Sequence, residues 1–279
     1  MRIGDLQFDF LIDGSMRLDG GAYFGVVPRV LWERSMQPDE RNRVTIDINC
    51  PLIRANGKNI VVDTGLGTKH TDKLQNQFAM QAGHLVEQVR AHGLEPADID
   101  YVVFSHLHFD HTGGATYTTP TGALATTFPN AQYLAQRADW EEATHPNERN
   151  GASYFEADLA PLEQNGQIEL LNGDTEILPG VHCTVTGGHT AGHQIVMLEV
   201  DGRKACFFGD LIPSKHHLPL PYSQGFDLYP IDVLNVKRDM LATAQQEQWL
   251  VLFDHETEHK AGYLELNERG RHVLRPAKE

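Results

Sequence analysis

An α/β fold is what this sequence predicts, and three observations predict it. Short runs rich in β-branched and aromatic residues alternate with segments whose apolar positions recur every three or four residues. The runs end at clusters of Gly, Asp, Thr and Asn, the residues of turns. No linker, low-complexity tract or short repeat breaks the alternation across the 279 residues, so a single domain covering residues 1–279 is expected.

Residues 6–12 and 44–48 alternate apolar and polar side chains, the pattern of half-buried strands. Ile60-Val61-Val62 reads as a short buried strand that ends at Asp63-Thr64-Gly65. Leu74, Phe78, Ala82, Leu85 and Val89 are spaced by fours and threes, which predicts one helix with a single apolar face, stopped by Gly93. Tyr101-Val102-Val103-Phe104 is the next buried strand. Residues 130–135 read as strand and lead into a helix around 137–143. In the second half, residues 167–171, 182–186, 194–200 and 204–208 read as strands. Residues 231–248 form a long helix bearing Val233, Val236, Met240, Leu241 and Ala244, and the tail pairs 263–266 with 270–274 in a hairpin.

Bulk composition narrows the function classes. The chain carries a net charge of −15 and no Lys/Arg cluster, so it lacks the basic track that a nucleic acid or an anionic membrane requires. No stretch approaches the ~20 apolar residues needed to span a bilayer, and Met1-Arg2-Ile3-Gly4-Asp5-Leu6 lacks the apolar core of a signal peptide, so a cytoplasmic location is expected. Cys50, Cys183 and Cys206 are odd in number, far apart and set among apolar residues, which reads as buried structural thiols.

The chemistry is concentrated in His106-Leu107-His108-Phe109-Asp110-His111, which follows the strand at Tyr101 and precedes Thr112-Gly113-Gly114. Four of these six residues can bind metal, and a loop after a buried strand would hold them rigidly while leaving them open to substrate. Three further strand-like runs end the same way, at Gly187-Gly188-His189, at Gly209-Asp210 and at Asp254-His255. Two loops have the composition of pocket walls: residues 19–28, with Phe24, and residues 214–222, with His216, His217 and Tyr222, which follow Asp210 directly.

The order H-x-H-x-D-H, then H, then D, then H resembles the metallo-β-lactamase superfamily, and the resemblance runs from Asp63-Thr64-Gly65 to His255. Within it, the motif order is most similar to the branch of N-acyl homoserine lactonases and methyl parathion hydrolase-like organophosphatases. The resemblance implies an αββα sandwich with a dinuclear metal site at one edge between two mixed sheets. It implies His106, His108 and His189 on a first metal, Asp110, His111 and His255 on a second, and Asp210 bridging the two. Five histidines and two aspartates suit two divalent ions. Zinc is expected, and iron or manganese is also compatible with a set that has no cysteine.

The implied reaction is hydrolysis of an ester, lactone or similar small molecule by a hydroxide shared between the metals. Asp110 would steer that hydroxide and accept its proton. A phosphotriester is the alternative substrate, and a non-catalytic metal-binding or sensor domain is the alternative of another class. Asp63 is expected to hold a ligand histidine from behind, and Thr190 and His193 to brace the His189 loop. Lactonases of this branch carry a tyrosine shortly after the bridging aspartate. Here Leu211-Ile212-Pro213-Ser214 follow Asp210, which leaves Tyr222 or Tyr23 to stand in. Related enzymes are often dimers, so a homodimer is carried as an expectation.

Overall fold

The computed structural model describes residues 1–4 and 6–277. The chain begins with β1 (Arg2–Ile3) and the long β2 (Leu6–Asp19), followed by the short helices α1 (Gly20–Phe24) and α2 (Arg29–Trp32). Next come β3 (Arg43–Ala55), β4 (Lys58–Val62), α3 (Asp72–Phe78), α4 (Leu85–Ala91), β5 (Tyr101–Val103) and α5 (Phe109–Thr112). A small hairpin of β6 (Thr116–Thr118) and β7 (Leu124–Thr126) precedes β8 (Gln132–Gln136), α6 (Arg137–Thr144), α7 (Glu156–Gln164) and β9 (Ile168–Leu171). The second half runs β10 (Thr175–Leu178), β11 (Val181–Val185), β12 (Gln194–Val200), β13 (Arg203–Phe207), α8 (Pro230–Gln246), β14 (Leu250–Leu252), β15 (Ala261–Leu266) and β16 (His272–Pro276).

Two mixed seven-stranded sheets result, in the orders β1-β2-β3-β4-β5-β8-β9 and β10 through β16. They face one another because successive strand residues point to opposite sides. Ile60, Val62 and Val103 of the first sheet meet Val196, Leu198, Ala205, Phe207, Leu250 and Leu252 of the second in one shared core. The intervening Val61 and Val102 face α4 instead, and Cys206 and Val251 face α8. This is the expected αββα sandwich.

Strand direction places the chemistry. β4, β5 and β8 run parallel, so the loops after them leave from one edge of the first sheet. β11 is antiparallel to β12, which is antiparallel to β13, and β14 is parallel to β13. β11, β13 and β14 therefore point the same way, and the loops bearing His189, Asp210 and His255 emerge together. Buried amides join the two sheets at that edge. The Gln194 N–H donates to Ser105 O (2.8 Å) and its Nε2 to Phe104 O (2.7 Å), while the Asn49 N–H donates to Asp254 O (2.9 Å) and its Nδ2 to Glu256 O (2.9 Å). Leaving one of these carbonyls without its partner would cost about 1–3 kcal/mol.

One expected element is corrected. The single helix through Leu74 and Val89 is two helices, α3 and α4, with an extended break between them. Asp13 sits at a bulge in β2, and its carboxylate accepts the N–H groups of Leu66 (2.9 Å), Gly67 (3.1 Å), Gly83 (3.2 Å) and Leu85 (3.0 Å). Gln81 pairs with Ser15 across the break. These tertiary bonds take the backbone groups that a continuous helix would use, and they outweigh the periodicity. Strand β2 also runs further than its alternation suggested, through the bulge to Asp19.

Candidate metal centre

The ligand loops converge in two groups that share Asp210. His106, His108, His189 and Asp210 form one, and His111, Asp210, Asp254 and His255 the other; within each, one donor atom per residue lies within 4.8 Å of every other. In the first group His106 Nε2 is 3.0 Å from His108 Nδ1, His189 Nε2 is 3.1 Å from the same nitrogen, and His189 Nε2 is 3.0 Å from Asp210 Oδ2. In the second, His255 Nε2 is 3.1 Å from Asp210 Oδ1 and 3.6 Å from Asp254 Oδ2, and His111 Nε2 is 3.9 Å from Asp210 Oδ1. All seven side chains are buried.

The outward nitrogens are held so that the inward ones present lone pairs. His189 Nδ1 bonds Asp227 Oδ1 (2.8 Å), His111 Nδ1 bonds Asp63 Oδ2 (2.9 Å), and His255 Nδ1 bonds the Asp47 carbonyl (3.0 Å). Asp63 also accepts the Ser105 N–H and Oγ–H, each at 2.7 Å, and this collar holds its backbone at φ 57°, where a non-glycine residue is strained.

The donor set fits a metal. His111 Nε2, Asp210 Oδ1 and Asp254 Oδ2 are buried and have no hydrogen-bond partner among the described residues, although they face one another. Buried polar atoms left like this are costly unless a cation satisfies them. The electrostatics agree. Burial, reinforced by the neighbouring histidines, pushes His106 and His108 well below the usual imidazole range. His189 goes the other way, up to about 10: burial opposes the charge, but Asp210 and Asp227 outweigh it. His111 rises to about 9, with burial again opposing and Asp110, Asp63 and Asp210 winning. Burial pushes Asp254 well above the carboxylate range. The carboxylates draw protons where a cation would sit.

Asp110 lies just outside the tight second group, its Oδ2 3.8 Å from His111 Nε2 and 3.7 Å from His255 Nε2. Asp254 takes the closer place. It follows β14 directly and adjoins His255, so its position in the sequence carries a signal that the motif order passes over. Asp227, in the loop before α8, carries no motif and was not foreseen. Thr190 and His193 stand behind the ligands. His193 Nδ1 is 2.6 Å from Thr186 Oγ1, its ring is 5.4 Å from that of His106, and Thr190 is fully buried beside α6.

The pocket-wall expectation is corrected for Phe24 and His217. Phe24 is 0% exposed, stacked between Trp32 (5.2 Å) and His217 (5.0 Å). His217 spends both ring nitrogens internally, on Ser214 Oγ (3.1 Å) and the Tyr23 carbonyl (2.9 Å). Tyr222 closes the cluster edge-on against Phe24, and His216 is half-buried. Side-chain packing turned an apolar loop into core. Tyr23 is buried nearer the ligands, its phenol pushed up by burial and by Asp254 and Asp210, against a pull from Ser214. A cavity of about 70 Å³ opens beside the ligands, lined by His108, Arg149, Asn150, Ser153, Gly225, Phe226 and Leu228.

An αββα sandwich with a His/Asp cluster at one edge defines a metal-dependent hydrolase. The metallo-beta-lactamase superfamily matches residues 45–255, and this chain belongs to that superfamily. An N-acyl homoserine lactonase of Bacillus cereus is 28% identical over 235 residues, 79% of this chain and 86% of the relative. The crystal structure of a probable metal-dependent hydrolase from Staphylococcus aureus superimposes with a TM-score of 0.90 at 30% identity, covering 100% of both chains. AidC, a dizinc quorum-quenching lactonase solved with a product, has a TM-score of 0.81 at 18% identity over 100% of this chain and 97% of its own, which speaks for the fold alone. No helix among the described residues is long and apolar enough to cross a membrane.

Proposed function

We propose that this chain hydrolyses N-acyl homoserine lactones or closely similar small lactones and esters, using two divalent ions, with zinc favoured. The observation that carries the reading is the pair of ligand groups sharing Asp210, in a chain that spans most of the length of the lactonases it is similar to. His106, His108, His189 and Asp210 would hold one ion, and His111, Asp210, Asp254 and His255 the other, with Asp110 at its margin. Divalent ions in such groups supply Lewis acidity, which polarises a carbonyl and makes water a nucleophile near neutral pH.

The chain's own residues then divide the work. Asp110, facing His111 and His255 with its side chain 11% exposed, accepts the proton of the attacking water. Water oxygen bonds to the carbonyl carbon, the ring C–O bond breaks, and the proton held by Asp110 passes to the departing ring oxygen. Asp63, Asp227 and the Asp47 carbonyl keep the imidazoles aimed throughout.

The test is hydrolysis of a long-chain acyl homoserine lactone by metal-loaded protein, followed by proton release, with a chelated control. Chelator-sensitive turnover at a kcat/KM of about 10⁴ M⁻¹s⁻¹ or more supports the assignment. No turnover by protein carrying its full metal complement overturns it. Asp110→Asn should retain metal and lose about 10²–10⁴-fold in kcat. Full activity in that variant would remove Asp110 from the proton's path.

A further inference from the structure

Outside every motif that supplies a ligand, α6 directs two carboxylates at the loops of the first group. Glu142 accepts the Ala191 N–H at Oε2 (2.8 Å) and Asn150 Nδ2 at Oε1 (3.0 Å). Asp139, one turn earlier and 1% exposed, packs so closely on the His189 loop that a Cβ on Gly192 would lie 2.5 Å from its backbone nitrogen. Its carboxylate faces Thr190 Oγ1 and the backbone N–H groups of Leu107 and Gly192. Leu107 separates His106 from His108, and Thr190 follows His189, so this one carboxylate reaches both loops of the first group.

The contact leaves bonding capacity unused. Both Asp139 oxygens and Thr190 Oγ1 lack a hydrogen bond of good geometry among the described residues. Burial pushes the Asp139 carboxyl up to about 6, the cost of a carboxylate without full partners. Tyr154 closes the same space, its ring 5.2 Å from that of His108 and its hydroxyl buried without a hydrogen-bond partner among the described residues. A buried carboxylate aimed at the backbone of two ligand loops, with bonding capacity to spare, is placed to tie those loops together.

We propose that Asp139 is a positioning residue for the first group: it couples the His106–His108 loop to the His189 loop and completes its hydrogen bonds when that group takes its ion. The proposal rests on the metal reading given above. It separates two quantities that an ordinary structural role would lower together. Replacing Asp139 should weaken metal binding at the first group while leaving the metal-free fold as stable as before, or more so.

The experiment titrates chelator-stripped wild type, Asp139→Asn and Glu142→Gln with Co(II), followed by its visible absorption, and with zinc by calorimetry. Urea unfolding of the metal-free proteins runs alongside. In Asp139→Asn, one binding step should weaken by about 10–100-fold, with a changed absorption for that ion, while the other step and the metal-free urea midpoint do not fall. Glu142→Gln, which keeps an acceptor oxygen toward Ala191, should show a smaller loss at the same step. Two ions in wild type with both steps unchanged in Asp139→Asn would overturn this proposal alone. A metal-free midpoint that falls in step with affinity would reduce Asp139 to a structural residue and overturn it too. Wild type that takes up no ion would overturn the two-ion reading, and this proposal with it.

Discussion

The two ligand groups share Asp210 but differ in how they carry charge. The first is rich in histidine: burial drives His106 and His108 toward the neutral, metal-ready form, and His189 alone, beside Asp210 and Asp227, is drawn the other way. The second is rich in acid: Asp110, Asp210 and Asp254 surround His111 and His255 and draw both toward the protonated form, against their burial. A cation is therefore needed most in the second group. The first group is assembled by backbone position and by collars such as Asp227. The second gathers carboxylates that repel one another and orphan polar atoms that only a positive charge satisfies.

The largest effect should come from removing what the groups share. Asp210→Asn should strip metal from both and lower kcat/KM on the order of 10³-fold or more, measured as metal content alongside turnover. Loss of a single ion in that variant would mean that the groups are independent. The next test separates them. Asp227→Asn loosens the His189 ring and Asp63→Asn the His111 ring, so each should weaken one binding step by about 10–100-fold and the other by less. Calorimetric zinc titration distinguishes the two, and identical profiles would erase the comparison.

The smallest effect lies away from both groups. Lys237 on α8 is 1% exposed and holds the Pro219 carbonyl (3.0 Å) and the Tyr222 carbonyl (2.6 Å). Burial pushes it down to about 7, with Asp227 pulling weakly the other way. Between that value and the ordinary 10.5 the folded chain binds fewer protons than the unfolded one, so this residue makes stability rise with pH across the window. Lys237→Met should flatten that rise in urea midpoints of metal-free protein taken between about pH 7 and pH 10. A slope equal to wild type would show that Lys237 keeps its ordinary pKa in the fold.

The legible part of this molecule lies where sequence spacing and chain direction coincide. His106, His108 and His111 lie in one six-residue motif after a buried strand, and His189, Asp210 and His255 each follow another strand, so period and position point to one place. The layered fold was legible because its short buried strands announce themselves as unbroken apolar runs. What could not be read depends on side-chain direction and on distant partners. Asp227 meets His189 across 38 residues, and Asp13 breaks a periodic helix from 72 residues away. Phe24 and His217 carry the composition of a pocket wall, yet they stack on each other. Composition records what a loop can touch, and packing decides what it does touch.

The measurement that bears most directly on the account is metal stoichiometry against activity: chelator-stripped protein, refilled stepwise with zinc, assayed at each step for lactone hydrolysis. Two ions per chain are expected, with full turnover reached only at the second. Full turnover at one ion, or two bound ions with no dependence of turnover on either, would contradict it.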